Sequence, residues 1–117
     1  MKKIIVKTSN ISKLDIINAE SSQSFRELAG ASEPVAVKGA AIIEDTNKDG
    51  EIGEFAYVFC EGGRVYGGNS ATIRRSVEGL IDVIEEDASI EYGVSVDSRP
   101  TASGREFLSL RVTALNA

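Results

Sequence analysis

The stretch EFAYVFCE (residues 54–61), followed by Gly62-Gly63 and then Arg64-Val65-Tyr66, decides the fold. Its first eight residues are rich in strand formers. The glycine pair is a hairpin-turn signal, and the residues after it read as the returning strand. Phe55, Tyr57 and Phe59 recur with period two and share one strand face, while Ala56, Val58 and Cys60 share the other. Both faces are apolar, whereas a barrel strand needs only one for its core. The smaller row suits a tight barrel interior, which leaves the aromatic row to face outward.

Upstream, Val35 to Glu44 is a long, nearly uncharged run with Gly39 in its middle. A glycine there signals a bulge or a sharp coil. Lys38 is the only charge inside this strand before Glu44, so it should face solvent or a ligand. Asp45–Gly53 reads as the connecting loop. Further back, Lys3–Lys7 and Ser22–Leu28 read as short strands. Ile11, Leu14, Ile16 and Ile17 fit either a turn of helix or a strand.

Downstream, Asn69 or Ser70 offers a helix N-cap. Ile73, Val77, Leu80 and Ile84 then form one apolar stripe, widened by Ile81, to a helix end near Glu86–Asp87. Ile90, Tyr92, Val94 and Val96 alternate as a half-buried strand. Arg99–Gly104 is a turn-rich loop. Arg105–Leu115 is the last strand, with Leu108, Leu110 and Val112 opposite Phe107, Ser109, Arg111 and Thr113.

From Pro34 the order is strand, strand, strand, helix, strand, strand. That is the element order of the five-stranded OB-fold barrel, with its helix between the third and fourth strands. The reading is mainly β: one domain over 1–117, residues 34–117 forming the barrel core and residues 1–33 adding N-terminal strands. The competing assignment is a helix packed on an open antiparallel sheet.

The chain has 117 residues, enough for one core, with a net charge of −5 and no histidine. Ser–His and Cys–His catalysis and histidine metal sites are therefore excluded. One cysteine, Cys60, excludes an internal disulfide and reads as an inert core thiol. Asp45–Ile52 matches the first eight positions of an EF-hand loop, but position 12 is Ala56 instead of glutamate, so a plain loop is preferred to a calcium site. No nucleophile elbow, phosphate loop or dinucleotide motif is present. No enzyme activity, metal or cofactor is expected. No signal peptide or membrane span is expected either, and the implied location is the cytoplasm.

The candidate chemistry is binding. Tyr57 and Phe59 on the outward row, with Tyr66 across the turn, would stack bases, although Phe55 and Phe59 also suit a core or interface role. Arg64 and Lys38 would meet phosphates. Arg99 and Arg105 bracket the last loop, and Phe107 and Arg111 share a face of the last strand. Eleven of the 18 acids fall within Glu44–Glu54 and Glu78–Glu91. Outside those segments lie 12 of the 13 basic residues and seven acids, a local excess of +5 that tolerates a polyanion.

The residues also carry a family likeness from about Ser22 onward. It rests on Gln23-Ser24-Phe25, the strand ending at Phe59, and the hairpin return Gly63, Val65, Tyr66. It continues through Ser70-Ala71-Thr72, Leu80-Ile81-Asp82-Val83, and Ser103-Gly104-Arg105 with Phe107-Leu108-Ser109-Leu110. In this order and spacing the chain resembles the small single-stranded DNA-binding proteins of protein-primed phages and related phage or conjugative elements. The resemblance implies an OB-fold that coats displaced strands during replication or transfer in a bacterial host, without sequence preference, catalysis or metal. It implies tyrosine stackers, here Tyr57 and Tyr66, with single-stranded DNA and replication proteins as partners. The chain ends at Ala117 without an acidic glycine-rich tail, so recruitment through such a tail is not expected. The alternative is an interaction or structural module whose apolar strand face is an oligomer interface.

Overall fold

The protein was described from a computed structural model, covering residues 3–9, 11–19, 22–29, 33–46, 49–87, 89–100 and 106–115. Within these, residues 3–9, 13, 16, 18, 45, 46, 99, 100, 106 and 107 are described by backbone alone.

The decisive stretch forms strand β4 (Ile52–Cys60). The turn after it carries Gly62 and Gly63 at φ of +82° and +81°, a conformation glycine adopts without the clash a Cβ brings. The Cys60 N–H donates to the Arg64 carbonyl at 2.8 Å and closes the hairpin. β5 (Val65–Gly68) returns antiparallel. The long preceding strand is β3 (Val35–Thr46), which pairs with β4 along one edge.

The other edge of β3 is shared. Its C-terminal part pairs with β1 (Lys3–Ser9), and Val35 and Ala36 pair with β6 (Tyr92–Pro100). β7 (Glu106–Ala114) completes the order on the far side of β6. At the opposite end, β2 (Gln23–Ser24) runs parallel to β5. The seven strands form one sheet, ordered β2-β5-β4-β3-β6-β7 with β1 also on β3, curled like half a barrel. Among the described residues no pairing joins β5 to β7.

The expected irregularity at Gly39 is present. Register shifts between Val37 and Gly39, which moves the inward positions from Val35 and Val37 to Ala40 and Ile42. The extra residue bends the strand and leaves the Lys38 side chain 48% exposed.

Helix α2 (Ala71–Glu86) begins where expected. The Ser70 side chain accepts from the Ile73 N–H at 3.2 Å, filling one unsatisfied donor of the first turn. Ile73, Val77, Leu80 and Ile81 are buried against Ala40, Ile42, Ala56, Val58, Cys60, Val94 and Val96. Each such large aliphatic chain contributes ~1.5–3 kcal/mol on burial. The helix's acids Glu78, Asp82, Glu85 and Glu86 stay exposed. Leu108, Leu110 and Val112 pack on the same core, as their alternation predicts.

Several expectations are corrected. The Ser22–Leu28 segment is a strand only over Gln23–Ser24, then a 3-10 turn over Phe25–Leu28. Ser24 caps it by accepting from the Arg26 N–H, and the i, i+3 spacing turns Phe25 and Leu28 to one side. Both are buried in the main core, so the N-terminal region is part of that core and not only an added edge. Of the two readings open for Ile11–Ile17, the structure has the helix, α1 (Lys13–Asn18). β3 and β4 extend into the predicted Asp45–Gly53 loop, and β6 runs on to Pro100 where a loop was expected. With strands flanking it, Asp45–Ile52 lacks the helices of an EF-hand; residues 47 and 48 of that reading lie outside the described residues. No described helix is long and apolar enough to cross a membrane.

Candidate nucleic-acid interface

The sheet has two apolar faces, as the two rows of β4 demand. Ala56, Val58 and Cys60 face α2. Tyr57 and Phe59 face the other way, with Ala41 and Ile43 of β3 and Val65 of β5. This outer face is not bare. Ile11 and Ala19, on either side of α1, pack onto it. Residues 11–19 therefore cross the outer face as a strap.

Polar groups fix the strap. The Ser12 N–H and hydroxyl both donate to an Asp15 carboxylate oxygen, at 2.9 and 3.2 Å, and the Asp15 N–H donates back to the Ser12 hydroxyl at 3.3 Å. This reciprocal cap is the usual device for a short helix start. From there Asp15 reaches the sheet: Lys38 Nζ donates to both of its carboxylate oxygens at 3.0 Å. The backbone bond from Ser12, helped by Lys38, holds the Asp15 carboxyl below its ordinary range against the opposing effect of burial.

Between this ion pair and the β4–β5 turn lies an open concavity of about 110 Å³, lined by Asp15, Lys38, Phe59, the turn residues Glu61 to Gly63, and Arg64. Arg64 is exposed at its rim. Beside it, the Tyr57 and Phe59 rings are 6.5 Å apart and tilted by 37°. Tyr57 is half-buried, and its ring lies across Gly67, where an added Cβ would come within 2.8 Å of it.

The predicted residues are thus divided. Lys38, Phe59 and Arg64 meet at one concavity, with Tyr57 adjoining. Phe59 is only 2% exposed, which corrects its expected position as an outward stacking ring: the strap covers it. Tyr66 is corrected more fully. Register sets it opposite Val58, so its ring turns inward, 4% exposed and 6.4 Å from Phe25. Arg111 is exposed but ion-paired to Asp97 at 2.7 Å, on strands separated from β4 by β3. Arg99 and Phe107 pair in register across β6 and β7, and Arg105 lies outside the described residues. Phe55 lines a different shallow concavity with Ile52, Asn69 and Arg74, whose guanidinium is 3.4 Å from Glu54.

The residue that sequence reasoning missed is Asp15. Its partner is 23 positions away, and only the Ser12-x-x-Asp15 spacing hinted at a structured start there. Cys60 is buried as expected. Burial foremost, then the Glu61 charge, pushes its thiol up to about 12 against the pull of Arg64. No family model, curated protein or solved structure matches this chain.

Proposed function

We propose that the protein is a non-catalytic OB-like module that binds single-stranded DNA without sequence preference. In this role it coats strands exposed during replication or transfer of a phage or mobile element in a bacterial cytoplasm. The fold part of the reading is supported by the pairings β3–β4, β4–β5, β3–β6 and β6–β7, with α2 between β5 and β6. These are pairings of an OB barrel left open between its third and fifth strands, a class that binds oligonucleotides on its outer strand face.

The observation that carries the functional part is the concavity lined by Lys38, from a bulge, Arg64, from a turn, and Phe59, whose ring neighbours Tyr57. Cations that track a backbone, next to a ring that takes a base, are the working parts of sequence-tolerant strand binding. Tyr57 is the stacking ring of this reading. Arg99, Phe107 and Arg111 would extend the path along β6 and β7.

The test is fluorescence anisotropy with labelled poly-dT, poly-U and duplex DNA at two salt concentrations. The reading requires binding to poly-dT that is much stronger than to duplex and weakens steeply with salt, because bound cations release counterions. A folded protein that binds none of the three refutes it.

One observation favours the interaction-module alternative. Leu14 and Ile17, one helical turn apart on α1, are each 66% exposed, while the apolar strand face itself is covered by the strap. Self-association through that pair would give a native mass above the monomer that resists salt.

A further inference from the structure

The Asp15 carboxylate occupies the cation that the proposed interface needs. Lys38 Nζ meets both carboxylate oxygens at 3.0 Å, a charge-assisted contact of the kind a lysine also makes to a phosphate. The same strap packs Ile11 and Ala19 into the apolar cluster that holds Phe59 and Tyr57. Its outer side carries Leu14 and Ile17, each 66% exposed. Solvent and salt reach the half-exposed Lys38 ammonium, although the Asp15 side chain is only 14% exposed.

We infer that residues 11–19 are a displaceable cover over the nucleic-acid interface, with Asp15 holding the place of a backbone phosphate on Lys38. The inference rests on the single-stranded DNA reading and names the regulation of that site. When a strand binds, a phosphate oxygen replaces the Asp15 carboxylate at Lys38 Nζ, Arg64 meets a neighbouring phosphate, and the strap lifts from the aromatic row. Because the strap and the strand exclude one another, the affinity of the protein is lowered by the fraction of molecules in which the cover is closed. Exclusion also works in reverse: a bound strand exposes the strap.

Two readouts test this with the full chain and a dT oligonucleotide. Asp15→Asn keeps an acceptor for the Ser12 N–H but removes the charge that competes for Lys38. At low salt it should bind the oligonucleotide about two- to fivefold more tightly than the parent, the range of a single ion pair open to solvent on its lysine side. In the parent protein, amide hydrogen exchange over residues 11–19 should speed up when the oligonucleotide is added, while exchange in α2 does not. Both results are required. If the parent binds the oligonucleotide but Asp15→Asn binds equally or less well, or exchange over 11–19 stays the same or slows, the cover is a fixed part of the fold. The DNA-binding reading then stands alone. If neither protein binds the oligonucleotide, both the reading and the inference fall.

Discussion

Tyr57 and Phe59 lie two residues apart on one strand, yet they carry different loads. Phe59 is closed in by the strap and by Val65, so Phe59→Ala should lose about 3–5 kcal/mol of stability in urea unfolding. Tyr57 is half-buried beside it. Tyr57→Ala should weaken oligonucleotide binding by about 1–3 kcal/mol and destabilise less than the phenylalanine change does. If Tyr57→Ala is the more destabilising of the two, the ring belongs to the packing and not to the interface. Cys60 gives a check on the inner face. A pKa raised to about 12 from an ordinary 9.0 means that the folded state keeps the thiol proton when the unfolded chain would release it. The stability that this contributes is complete below about pH 9 and is lost as the pH rises toward 12. At neutral pH the thiol should stay unreactive to Ellman's reagent until denaturant is added; rapid reaction of the native protein would place Cys60 outside the core.

At the scale of elements, the features with strong local signals were legible in the sequence. The hairpin at Gly62-Gly63, the bulge at Gly39 and the α2 start at Ser70 are each dictated by a residue whose backbone chemistry has few alternatives. Removing the cap by Ser70→Ala should cost ~1 kcal/mol, seen as a lower melting temperature, and an unchanged melting temperature would deny the cap its role. The two rows of β4 were legible as opposite faces, but which of them meets the helix was not, because both are apolar and both are covered. Nor was the side taken by Tyr66. Its face depends on register, and a shift of one residue exchanges the two sides of a strand. The structure sets Val58 opposite Tyr66 and Tyr57 opposite Gly67, which turns the ring inward. The Phe25–Leu28 turn escaped because an apolar i, i+3 pair over four residues is too short to separate from a strand. The strap escaped because its contacts, Asp15 to Lys38 and Ile11 and Ala19 to the outer row, join positions far apart in the chain.

Over the whole molecule, the two apolar faces of one curled sheet divide the labour. The inner face is closed by α2, whose acids point to solvent on that side. The outer face is closed by the strap and bears Lys38 and Arg64. A net charge of −5 is therefore compatible with a polyanion partner, because charge is felt locally, within ~8–10 Å in physiological salt. The most direct measurement is an NMR titration of isotope-labelled protein with a dT oligonucleotide, read residue by residue. The account predicts amide shift changes concentrated at Lys38, Tyr57, Arg64 and residues 11–19, with the exposed side of α2 unmoved. Shifts centred on α2, or none at saturating oligonucleotide, would contradict it.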